Sequence, residues 1–141
     1  MCGRYTLTSS AEEVAREFAL AAAPDLRPRY NVAPGQSVPL VREDESGQRA
    51  LAFHRWGLVP AWAKDPSRGS RMINARSETA STKPAFRAAF RRRRCLVPAD
   101  GFYEWSGPRK AREAHWIRVG GGLFAIAGLY ESWRPEPSPE A

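Results

Sequence analysis

A chain of 141 residues with 43% hydrophobic and 11% aromatic content is one ordinary domain with enough apolar matter for a packed core. No apolar stretch approaches the length needed to cross a membrane. The first twenty residues carry Arg4, Glu12, Glu13, Arg16 and Glu17 where a signal peptide would have an apolar region. The formal charge of +7 is concentrated, because Lys64 to Arg118 holds 14 Lys/Arg against 5 Asp/Glu, a net of +9, and the remainder stands at −2. That block points to a polyanionic partner or to a solvated arginine surface. Two cysteines, Cys2 and Cys95, make no disulfide framework. The expectation is a soluble, monomeric protein of the cytoplasm, with no membrane partner.

In chain order, Arg4 to Leu7 reads as a short strand, with β-branched and aromatic residues in alternation. Ser10-Ala11-Glu12-Glu13 fits a capping box ahead of a helix to about Leu20, with Val14 and Phe18 at i,i+4. Ala21 to Pro28 is a loop, and Arg29 to Gln36 is irregular and ends in a Pro-Gly turn. Ser37 to Val41 and Arg49 to Trp56 are strands around a turn at Glu43 to Gly47, and Trp56 to Ala63 is an ordered loop. Pro84 opens a second helix running to about Arg93, with Phe86 and Phe90 at i,i+4. Cys95 to Val97, Phe102 to Trp105, Trp116 to Val119 and Leu123 to Tyr130 are strands, with Gly120 to Gly122 as the turn joining the last two. The fold class is α+β, mainly short antiparallel strands in a barrel-like form with a few short helices. Residues 134–141, with three prolines, form a disordered tail.

Cys2 is the most reactive prospect. Removal of Met1 leaves one residue carrying a free α-amine and a thiol on adjacent carbons. The amine condenses with an aldehyde to an imine, and the thiol then closes a five-membered thiazolidine ring. An ordinary α-amine titrates at about 7.7–8.0 and an ordinary thiol at about 8.5, so both are usable near neutrality. A terminal strand would hold Cys2 in the fold and keep it from fraying.

Glu104 lies between the aromatics Tyr103 and Trp105. It either faces solvent or sits in an apolar pocket where it can serve acid–base work. Asn74 can orient a sugar or carbonyl, or cap a turn. Arg76 can fork onto a phosphate or remain solvated. Trp62 and Trp105 are candidates for base stacking or for the core. His54 and His115 show no metal-ligand spacing with Cys2 and Cys95, so no metal site is expected. No phosphate-cradling glycine loop or nucleophile elbow is present.

Five segments occur in order: Met1 to Tyr5, Arg29 to Gly35, Trp56 to Trp62, Asn74 to Thr79 and Cys95 to Trp105. The series resembles the SRAP family, the SOS response-associated peptidase-like proteins, from Met1 to about Trp133. The domain is therefore expected over residues 1–133. The resemblance implies a protein that senses abasic sites in single-stranded DNA in the DNA damage response. It implies covalent attachment through the N-terminal cysteine, without a cofactor, on DNA of the nucleoid. By motif, Cys2 is the nucleophile, Glu104 assists proton transfer and sugar ring opening, and Asn74 positions the abasic sugar. Arg4 and Arg76 would hold phosphates, with Trp62 and Trp105 against the bases. The family label also implies a thiol peptidase, or autocatalytic removal of Met1 or a short leader; a third reading is a non-catalytic single-strand binding module.

The resembling family continues into a His-x-Arg-Met-Pro-like segment that supplies an active-site histidine, and neither His54 nor His115 matches it. The chain is expected to be the N-terminal two-thirds of the domain, with an unpaired sheet edge.

Overall fold

The structure, a computed structural model, describes residues 2–135, so most of the expected tail at 134–141 lies outside the described residues. Eight strands alternate with short helices: β1 (Tyr5–Leu7), α1 (Ala11–Glu17), β2 (Arg29–Val32), β3 (Ser37–Glu43), β4 (Arg49–Arg55), a 3-10 turn (Pro66–Arg71), α2 (Ser77–Ala80), α3 (Arg87–Arg92), β5 (Arg94–Ala99), β6 (Gly101–Ser106), β7 (Glu113–Ile117) and β8 (Phe124–Leu129).

The strands form two antiparallel four-stranded sheets in the orders β2-β1-β6-β7 and β4-β3-β5-β8. The α+β class holds, but the barrel does not close. Within the described residues β7 and β8 each end a sheet, so Gly120 to Gly122 carries the chain from one sheet to the other. Strand β7 pairs with β6 and β8 with β5, and the glycines join no hairpin.

The core lies between the sheets. Tyr5, Leu7 and Val32 contribute from one, Val38, Val41 and Ala99 from the other, and Val14 and Phe18 from α1. The capping box forms as the sequence predicts. The Ser10 hydroxyl accepts from the Glu13 N–H at 3.2 Å, and the Glu13 carboxylate accepts from the Ser10 N–H at 2.8 Å. The helix stops at Glu17 and does not reach Leu20, once Val14 and Phe18 are buried.

Four other boundaries differ. Arg29 to Val32, read as irregular, is a strand because Tyr5 and Val32 are register partners and bury together. Helix α3 starts at Arg87, with Pro84 to Phe86 in a turn ahead of it. Strand β7 lies three residues earlier than Trp116 at its start, because its partner is β6. The segment from Ser77, given no element by the sequence, forms α2.

Strands β3 and β4 pair from Ser37↔Arg55 to Glu43↔Arg49, around a turn in which Asp44 Oδ1 accepts from the N–H groups of Ser46 and Gln48. On the other side of β3, pairing with β5 is confined to Val41↔Leu96. Pro39 and Pro98 in these strands have no N–H to donate to a ladder. No helix among the described residues is long and apolar enough to cross a membrane.

Candidate active site

Cys2 lies just ahead of β1 and is half-buried against the core. Its carbonyl oxygen accepts a 2.7 Å hydrogen bond from Asn74 Nδ2, 72 residues away in sequence. Its thiol donates to the Arg4 carbonyl at 3.3 Å. Residue 2 is therefore held at both its backbone and its side chain.

Asn74 is positioned by packing upstream. The Trp56 indole N–H donates to the Ile73 carbonyl at 2.7 Å, and the Leu58 N–H donates to the Met72 carbonyl at 3.1 Å. The Trp56 ring rests on Tyr5 with centroids 5.6 Å apart, which ties this loop to β1. Gly57, at φ 130°, lets the two loop backbones meet: a Cβ there would stand 2.5 Å from the Gly69 carbonyl oxygen. The Trp56 segment thus sets the height of the Asn74 segment, and both converge on Cys2.

Glu104, on β6, acts on the same thiol through its charge. Burial pushes the Cys2 thiol above its ordinary value; a backbone contact with Arg4 opposes this, and the Glu104 carboxylate adds to the rise. The adjacent Arg4 accepts the Tyr103 N–H at its carbonyl, and its Nε is buried without a partner among the described residues. Cys2, Arg4, Asn74 and Glu104 therefore share one neighbourhood.

The remaining predicted residues lie farther out. Arg76 is exposed at the start of α2, two residues beyond Asn74. Trp105 is 38% exposed, its ring 6.3 Å from that of Tyr103, whose hydroxyl donates to the Tyr30 carbonyl. Trp62 is 58% exposed on a separate loop, with the Arg68 guanidinium 5.9 Å above its ring. Neither tryptophan is core. Cys2 and Asn74 line a cavity of about 900 Å³ whose walls also include Cys95, Phe86, Phe90 and Trp133. Burial pushes the Cys95 thiol up to about 11.

The chain matches the model of the SOS response associated peptidase (SRAP) family over residues 1–141. It belongs to the SRAP family. It is similar to the abasic site processing protein YoqW of Bacillus subtilis (strain 168), with 43% identity over 145 residues, covering 99% of this chain and 64% of that protein. YoaM of the same organism, also named an abasic site processing protein, is 44% identical over 138 residues, covering 94% of this chain and 60% of the relative. The chain thus spans less than two-thirds of the length of these curated relatives. A solved protein of Bacteroides thetaiotaomicron shares the fold with a TM-score of 0.78 at 24% identity, over 95% of this chain and 62% of that one.

Sequence reasoning within this SRAP chain passed over Asp100. It is buried at the β5–β6 corner, where its carboxylate accepts from the Thr6 hydroxyl at 2.6 Å, from the Thr8 N–H and hydroxyl, and from the Ser9 N–H and hydroxyl. The hydroxyl run Thr6, Thr8, Ser9 was the available signal, since such a run buried beside a strand needs an acceptor. His115, weighed in the sequence only as a metal ligand or as the family's histidine and given neither role, stands opposite Glu104 on β7.

Proposed function

We propose that this chain captures abasic sites in single-stranded DNA covalently through Cys2 once Met1 is removed, in the DNA damage response. The observation that carries the reading is the 2.7 Å hydrogen bond from Asn74 to the Cys2 carbonyl, which anchors residue 2 in the wall of a cavity and within reach of the Glu104 charge. A residue that must present both its amine and its thiol to one carbon needs its backbone fixed.

The α-amine of Cys2 adds to the aldehyde carbon of the ring-opened deoxyribose. Proton transfer to the carbinolamine oxygen expels water and leaves an imine. The thiol sulfur then adds to the imine carbon, and its proton passes to the nitrogen, closing the thiazolidine. The product is protein plus DNA minus one water. In this reading Glu104 carries protons in both steps. Because burial and Glu104 keep the thiol protonated at neutral pH, the amine acts first and the sulfur second. The same property disfavours peptide hydrolysis, where the thiolate is the attacking species.

Charge and surface supply the DNA side of the proposal. The basic block from Lys64 to Arg118 draws a phosphate backbone to this part of the chain. Arg4 and Arg76 take flanking phosphates through their guanidinium groups. Exposed Trp62 and Trp105 offer stacking faces, each worth about 1–3 kcal/mol per base.

The test is a heat-stable adduct on a denaturing gel between the chain and a single strand carrying one abasic site. The adduct is expected with the abasic strand alone and is lost in Cys2→Ala. Salt-sensitive binding that ignores the abasic site, with no adduct, would leave only a single-strand binding module.

A further inference from the structure

The β6–β7 ladder runs without a break through five pairs, from Phe102↔Ile117 to Ser106↔Glu113. In it Glu104 stands directly opposite His115. Side chains so placed project from the same face, with Cβ atoms about 4.5–5.5 Å apart, within reach of each other. The His115 ring is itself fixed: its Nε2 lies 2.7 Å from the Ser106 hydroxyl, a diagonal neighbour on that face. With the hydroxyl donating to Nε2, the neutral ring carries its proton on Nδ1. Ser106, His115 and Glu104 therefore form a row along one face of the strand pair, and Glu104 acts electrostatically on the Cys2 thiol. Glu113, opposite Ser106, is the other acidic side chain at the end of this row.

We propose that His115 is a positioning residue for Glu104, held by Ser106 and holding the carboxylate in the place from which it serves Cys2. The inference rests on the capture reaction proposed above. It assigns His115 no contact with DNA and no proton transfer to the sugar. The pairing makes Glu104 a carboxylate with a fixed neighbour across the ladder, so its distance to Cys2 is set by a strand pair and not by side-chain rotamer freedom alone.

A double-mutant cycle tests it on the full chain. His115→Ala and His115→Gln are made with Glu104 intact and in a Glu104→Gln background. Two rates are read: adduct formation with the abasic strand, and alkylation of Cys2 by iodoacetamide, which needs no DNA. With Glu104 intact, His115→Ala is expected to slow adduct formation about 5- to 10-fold and to change the alkylation rate. His115→Gln, which keeps an N–H toward the carboxylate, recovers most of the loss. In the Glu104→Gln background His115→Ala changes neither rate further. His115 is exposed on an edge strand, so melting is expected to stay the same.

Equal effects of His115→Ala in both backgrounds, or none in either, overturn the inference while a wild-type adduct leaves the capture reaction standing. A wild-type chain that forms no adduct but shows the alkylation coupling overturns the capture reaction and supports the pairing of His115 with Glu104.

Discussion

Asp100 and Glu104 are two carboxylates four residues apart on one stretch of chain, and their surroundings differ in kind. Asp100 is 5% exposed and saturated by hydroxyl and amide donors from Thr6, Thr8 and Ser9. It stitches the β5–β6 corner to the end of β1. Glu104 is half-buried in a strand whose outer end opens toward solvent, and its charge reaches a half-buried thiol. A carboxylate that is fully satisfied stabilises a fold; one left within reach of a nucleophile can do chemistry. The corner before β6 and the strand itself divide these roles.

The largest effect separates them by stability. Asp100→Ala strands several buried donors and is expected to cost about 2–4 kcal/mol, read by denaturant unfolding. Glu104→Gln is expected to leave the unfolding midpoint nearly unchanged. If both variants unfold alike, the distinction fails.

The next effect is kinetic. Glu104→Gln is expected to slow adduct formation about 100-fold, in line with loss of a general acid–base group. It should also raise the alkylation rate of Cys2 at neutral pH, because the carboxylate that helps hold the thiol protonated is gone. A faster thiol with a slower adduct would show that thiolate supply does not limit capture.

A smaller loss is expected from Asn74→Ala. Removing the 2.7 Å hydrogen bond to the Cys2 carbonyl frees residue 2 and is expected to slow the adduct about 5- to 10-fold, the worth of about one hydrogen bond. An unchanged rate would mean that β1 alone positions Cys2.

The smallest effect is in acid. Burial alone would raise Asp100, but the hydrogen bonds from Thr6, Thr8 and Ser9 outweigh it and hold the carboxyl below its ordinary 3.8. A group lowered on folding stabilises the fold above its unfolded value. That contribution is lost as pH falls below 3.8 toward the folded value. Acid unfolding of the wild-type chain should therefore be steeper than that of Asp100→Asn.

Much of this was legible in the residues where the cause is local. The Ser10–Glu13 capping box, the β3–β4 hairpin and the aromatic β6 each rest on neighbours in sequence. What was not legible depends on partners far away. Arg29 to Val32 becomes a strand only beside Tyr5, and β7 and β8 part to different sheets although only residues 118–123, three of them glycine, lie between them. At the site, residue types and motif order pointed to Cys2, Asn74 and Glu104. They could not show that Asn74 holds the backbone of residue 2, or that His115 faces Glu104, because both depend on register and loop height.

The most direct measurement is the intact mass of the purified chain after mixing with a single strand containing one abasic site. The account predicts a species equal to the chain without Met1 plus the DNA minus one water, stable to heat and absent in Cys2→Ala. A folded chain, shown by its mass to have lost Met1, that yields no such species would contradict it.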